Sequence, residues 1–332
     1  MKIAALFVLL FCLFTGRPPS APEVRESDRI RIAEAFRISE VLGDTLWPQW
    51  NKSPFALLLV TPEHEFLLRH PRPTTDFISI GYDSLLKCDV FYRPRIFETS
   101  LLATFPAVNG ISTIVIGQPE NTDAKRSTRW VLTMLHEHFH QYQSSSPDYF
   151  LGVQALGLSG GDESGMWMIN YAFPYDSTSV DRQFMFMARK LYEAVLSRGQ
   201  PEFVVRFKHY QELRKEFRAM LSENDYRYFL FQLWQEGVAR YTELRMAELI
   251  AREYSPTDAF RSLIDYQSFR REFMQLRANT VLNLRSLSLK GNRRTAFYPF
   301  GAGEALLLDQ VRPRWREEYL TNKFSLDRLF DQ

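Results

Sequence analysis

The chain has 332 residues, enough for one large domain or two ordinary ones. Hydrophobic residues make up 45% and charged residues 24%, which excludes a disordered chain, a collagen-like fibre and a coiled-coil rod. The formal net charge of +2 traces to Lys2 and Arg17: the 41 basic residues less these two equal the 39 acidic ones. A nucleic-acid binder carries a basic excess, so no nucleic-acid partner is expected.

Taken in chain order, the first 21 residues read as a signal peptide. Lys2 precedes an apolar run over 3–14 that is too short to cross a bilayer as a helix. The reading predicts an exported protein, periplasmic or secreted, with no stable membrane span once that segment is removed. Cys12 falls inside it, leaving Cys88 as the lone cysteine of the mature chain. One cysteine excludes a structural zinc site built on two or more, and Cys88 is expected to be a small buried hydrophobe.

Helical spacing of apolar residues follows over 28–46. The period then shortens: 55–60 and 65–68, separated by Thr61-Pro62-Glu63, predict a hairpin, and 77–80, 89–92 and 111–116 predict further strands. From Asp123 onward the pattern is helical, with helices expected over 126–143, 180–198, 202–221, 226–254, 258–277 and 301–312. Strands first and helices second predict an α+β fold, with a β-rich part over 22–122 and a helical part over 123–332.

Three of the six histidines fall within five residues, His136-Glu137-His138-Phe139-His140. On a helix, residues four apart share a face, so His136 and His140 can grip one metal ion while Glu137 is aimed at its water. Composition alone gives about 0.007 chance matches to His-Glu-x-x-His in such a chain. Trp130, Val131, Met134, Leu135 and Phe139 form an apolar stripe, so this helix should be buried. His138 points away from the ligand face and reads as a hydrogen-bonded bystander.

A catalytic zinc site takes three protein ligands and keeps a fourth position open. Two carboxylates compete for the third. Glu163 lies 23 residues past His140, but in the Gly-rich stretch Gly160-Gly161-Asp162-Glu163-Ser164-Gly165. Glu236 is farther along but sits mid-helix among Leu233, Trp234, Val238 and Ala239, and it has the better setting. Gly237 and Ala239 are small, as needed if that helix lies close on the metal helix. Tyr298, ahead of a glycine-flanked apolar helix, and Tyr241 are the tyrosines considered for stabilising an oxyanion. The aromatic stretch 165–175 is open to two readings, a lid or cleft wall and ordinary core.

His136-Glu137-x-x-His140 on one helix and Glu236-Gly-x-Ala-x-Tyr241 on a later one resemble the gluzincin zinc peptidases, of which thermolysin-like and aminopeptidase-N-like enzymes are members. The resemblance covers the two helices and the strands-then-helices order. It implies a zincin-like catalytic core holding one zinc ion per chain, with His136, His140 and Glu236 as ligands and Glu137 as general base. Some departures stand out. A stretch of 95 residues separates His140 from Glu236, about five times the usual interval, and Arg240 stands where thermolysin-like enzymes often carry an acidic residue. The aminopeptidase Gly-x-Met-Glu-Asn signature is absent.

The expectation is therefore an exported, zinc-dependent peptidase acting on a peptide or protein substrate, with 111–116 as an edge strand for an extended peptide. Two alternatives remain: a zinc-binding scaffold of the same fold, and a hydrolase of a non-peptide amide.

Overall fold

The computed structural model describes residues 21–330, so the signal-peptide reading and Cys12 lie outside the described residues. The fold is α+β, a six-stranded mixed sheet followed by a mostly helical C-terminal part. Helix α1 (Glu26–Leu46) leads into β1 (Leu57–Val60), β2 (His64–Leu68), β3 (Ile78–Asp83), β4 (Cys88–Pro94), β5 (Leu102–Val108) and β6 (Ile111–Gly117). The strand order is β3-β4-β2-β1-β6-β5; β1 and β6 run parallel, and the other pairs are antiparallel.

The expected strand 111–116 is β6, but it lies between β1 and β5 and is not an edge. The edge on that side is β5, which the sequence pattern does not reveal because Pro106 interrupts it. Proline removes a ladder donor and is tolerated on an edge strand, and the β5–β6 register does shift between Phe105 and Val108.

Alternation on the central strands builds two apolar layers. Leu57, Leu59, Ile114 and Ile116 join the main core under the helices, while Leu58, Val60 and Val115 join a smaller cluster on the other face. Cys88 is only half-buried at the start of β4, not fully inside as its type suggests.

Helix α2 (Ser127–Ser144) carries the histidines. Its N-terminus is held from a distance: Asp265 accepts from the Ser127 backbone N–H at 2.9 Å and from its hydroxyl at 2.5 Å. Next come α3 (Tyr149–Ala155), α4 (Trp167–Asn170), α5 (Thr178–Leu196), α6 (Phe203–Ala219) and α7 (Glu223–Gln232), with Ser177 and Ser222 capping α5 and α7. The expected single helix over 226–254 is instead α7, a π-helical turn (Leu233–Gly237) and α8 (Val238–Glu253). Likewise 258–277 divides into α9 (Asp258–Arg261) and α10 (Phe269–Arg277), and the intervening Asp265 and Gln267 hydrogen-bond to the start of α2. After α11 (Leu289–Asn292), α12 (Phe297–Val311) closes the helical layer. No described helix is long and apolar enough to cross a membrane.

The small residue after Glu236 serves a different contact from the expected one. Gly237 meets α12, not the metal helix: a Cβ on Gly237 would stand 2.5 Å from Gly301 Cα, and one on Gly301 would stand 2.7 Å from Gly237 Cα. Backbone touches backbone at this crossing. Gly301→Ala should therefore force the elements apart and destabilise the protein by about 1–3 kcal/mol, the usual cost of overpacking. Urea denaturation checks this, and a variant as stable as the parent would show that the crossing yields freely.

Candidate metal centre

The buried α2 face brings His136, Glu137 and His140 together, with one candidate ligand atom from each inside a 4.8 Å group. The π-turn delivers Glu236 to the same place. Its Oε2 lies 3.5 Å from His140 Nε2 and 3.9 Å from His136 Nε2. Ligand atoms about 2.0–2.2 Å from one tetrahedral ion stand about 3.4 Å apart, so these separations suit a shared ion.

The electrostatics agree. Burial disfavours an imidazolium at His140, but the Glu236 carboxylate more than offsets this and raises its pKa to about 9. Burial likewise works against the Glu236 carboxylate, yet His140, Arg294 and His136 hold it well below the usual carboxylate range. Glu236 therefore favours a positive charge beside it, whether a proton on His140 or a metal ion. These residues can hold a metal ion.

The groups behind the ligands were not legible in sequence. Gln143, one turn past His140 and fully buried, links both halves of the site. His140 Nδ1 donates to its Oε1 at 2.7 Å, which leaves Nε2 free to face Glu236. The Gln143 Nε2 donates to the carbonyls of Trp234 (3.1 Å) and Gln235 (3.0 Å), within the π-turn, and approaches the Tyr319 hydroxyl at 2.7 Å. Tyr319 in turn donates to the Trp234 carbonyl at 2.6 Å. A π-turn disrupts the ordinary ladder, and Gln143 and Tyr319 satisfy the carbonyls it exposes.

Behind His136, Arg240 stands where the resemblance suggests an acid, and the carboxylate comes from Glu243 on α8. Its Oε2 is 3.5 Å from His136 Nδ1, long for a hydrogen bond but close enough to orient the ring electrostatically. Arg240 at 2.6 Å and Arg129 at 2.7 Å hold Glu243 in place. Burial opposes its charge, but Arg129 and Arg240 keep its pKa down at about 2.

Glu137 faces the sheet. Thr104 on edge strand β5 donates to Glu137 Oε2 at 2.8 Å and lies 3.1 Å from its carbonyl oxygen. Among the described residues the other carboxylate oxygen has no hydrogen-bond partner. Tyr298, in the first turn of α12, lies nearly parallel to the His136 ring, with centroids 6.3 Å apart. Burial, then the charge of Glu236, push its phenol well above the usual range, so it remains a donor.

The alternatives fall elsewhere in the fold. Glu163 is exposed in the loop before α4 and is not among the groups that converge. Tyr241 is fully buried, donates to Asp309 at 2.7 Å and packs on Trp47 and Trp315, away from the histidines. In the 165–175 stretch, Trp167 packs on Phe231, and Phe173 and Tyr175 pack on Phe297, so these aromatics are core. The chain matches no family profile, no curated protein and no solved structure.

His138 is the expected bystander: it stacks on Phe55 at 4.0 Å and Trp50 at 5.4 Å and bonds Gln141 at 2.9 Å. Burial lowers its pKa to about 4. A depressed histidine leaves stability intact above the unfolded value near 6.5 and erodes it as pH falls toward 4, because the unfolded chain binds the proton first. The loss is on the order of 3 kcal/mol across that window. His138→Phe should flatten the pH dependence of urea stability there; an unchanged slope would remove His138 as its source.

Gln143→Leu keeps the volume but abandons His140 Nδ1 and the π-turn carbonyls. Affinity for a divalent ion, read by competition with a chromophoric chelator, should fall about 10–100-fold. Glu236→Ala should cost at least as much, and Glu163→Ala should change nothing. Loss of the ion in Glu163→Ala with retention in Glu236→Ala would move the third ligand to the loop.

Proposed function

We propose that the chain is an exported zinc-dependent peptidase, with one zinc ion held by His136, His140 and Glu236. The observation that carries this is the placement of Glu137: it lies beside the converging ligands, with one oxygen fixed by Thr104 and the other unpartnered. A binding scaffold needs the ligands but has no use for a held carboxylate with a free oxygen. The donor set of two imidazoles and one carboxylate suits zinc in a hydrolytic site.

A bound zinc ion supplies Lewis-acid polarisation of a carbonyl and makes water a nucleophile at neutral pH. The protein's own groups do the rest. Glu137 takes the proton from the attacking water and passes it to the leaving amine, while Thr104 holds the carboxylate in line. Tyr298 donates to the oxygen on which negative charge develops. His136 and His140 are kept in one orientation by Glu243 and Gln143.

The partner in this reading is a peptide or protein in extended form. Edge strand β5 has one side unpaired and carries Thr104, so a peptide added along it runs past Glu137. The leading segment 1–21 supports export.

Glu137→Gln tests the assignment. The variant should fold and hold about one zinc per chain, yet its peptide hydrolysis should fall by about 10²–10⁴-fold, since an amide cannot take the proton. Mass-spectrometric profiling of a peptide library reads the cleavage, and normal turnover in this variant would end the proposed role of Glu137.

A further inference from the structure

Arg294 lies just before α12 and is three-quarters buried, with a side-chain exposure of 22%. Its Nη1 donates to Glu236 Oε1 at 3.3 Å, on the opposite side of the carboxylate from the histidines. The guanidinium also stands 5.3 Å from the Tyr298 ring centre. A guanidinium carries five N–H donors. Glu236 is its one described carboxylate partner and the Tyr298 hydroxyl is also within hydrogen-bond reach, so part of the fork is left beside the ligand set. Arg240 flanks the same ring at 5.8 Å but is already committed to Glu243.

Charge around the centre makes this surplus meaningful. Glu137, Glu236 and Glu243 cancel Arg129, Arg240 and Arg294, and Glu272 stands farther back, 3.9 Å from Arg129. A divalent ion then leaves the interior net positive by at least one charge. It also draws on the Glu236 charge that Arg294 otherwise neutralises. A guanidinium with only partial access to solvent is costly beside a metal ion without a further anion.

The backbone beside Arg294 is also unusual. Arg293 has φ +47° and ψ −135°, a conformation an L side chain rarely adopts. Strain of this kind persists only where surroundings over-determine it, and it gathers at ligand clamps. Here Arg293 pairs with Asp176 at 3.1 Å and lies 5.0 Å from the Tyr175 ring centre.

We propose that Arg294 is the anchor for a carboxylate of the substrate, so that the site selects peptides bearing an anion next to the bond it cleaves. The anion is either the chain-terminal carboxylate or an acidic side chain; a guanidinium pairs with both through parallel N–H bonds. The proposal rests on the peptidase reading for the meaning of the site, but not for the ion pair itself.

The test is calorimetric titration of the Glu137→Gln protein, with and without zinc, so that no turnover is needed. Four probes are compared: an N-acetylated dipeptide acid, its amide, and two amides that differ only in Glu against Gln. At least one carboxylate probe should bind ten-fold or more tighter than its neutral partner. The acid identifies a terminal carboxylate, and the Glu amide an acidic side chain. Adding Arg294→Gln should abolish the preference in zinc-saturated protein, and Arg294→Lys should retain part of it. Equal binding of all four probes overturns the proposal. So does a variant that loses zinc without changing the preference, because Arg294 would then act only through Glu236. A preference that depends on Arg294 in a protein that cleaves no peptide would leave the carboxylate site standing and the peptidase reading fallen. Cleavage without the preference would do the reverse.

Discussion

The site depends on one side chain that touches both halves of it. Gln143 projects from α2 into the π-turn and uses its oxygen for His140 and its nitrogen for the carbonyls of Trp234 and Gln235. Without that amide, the turn would bury carbonyls with incomplete partners, each costing about 1–3 kcal/mol. With it, the irregular turn is satisfied only when it lies against α2, which is also the position that puts Glu236 opposite the histidines. A local defect in a helix and the geometry of the centre are thereby the same structural fact. The Gly237–Gly301 crossing holds the other side of the turn and brings Tyr298, on α12, and Arg294, just before it, to the centre.

The second constraint is charge. Carboxylates and guanidiniums crowd a region where burial makes an unpaired charge expensive. Each carboxylate behind the ligands is matched: Glu243 by Arg129 and Arg240, and Glu236 by Arg294 on one oxygen and the histidines on the other. This division fixes which oxygen of Glu236 faces the imidazoles. It also explains why an arginine can replace the acid expected at position 240: the acid has moved to Glu243, and Arg240 holds it.

Much of this was readable from the sequence where a pattern is local. The apolar stripe of 126–143 and the His136–His140 spacing place both imidazoles on one face, and Glu236 stands out among apolar neighbours. Where a residue's partner comes from a distant segment, the pattern is silent. Thr104 lies on a strand hidden by Pro106, Gln143 reads as one polar residue in a helix, and Arg294 looks like surface charge. The π-turn inserts into an otherwise continuous helical period over 226–254, which is why those residues read as one helix. Asp265 and Gln267 break 258–277 because their side chains serve the start of α2. For Gly237 the size requirement was legible but its partner was not.

In the proposed reading, His136, His140 and Glu236 share one zinc ion. X-ray absorption at the zinc edge, on protein purified without chelators, tests it most directly. The account predicts about one ion per chain with a light-atom shell near 2.0–2.1 Å, imidazole outer-shell scattering from two histidines, and loss of that signature in Glu236→Ala. A folded protein that binds no ion under these conditions, or an unaltered spectrum in Glu236→Ala, would contradict it.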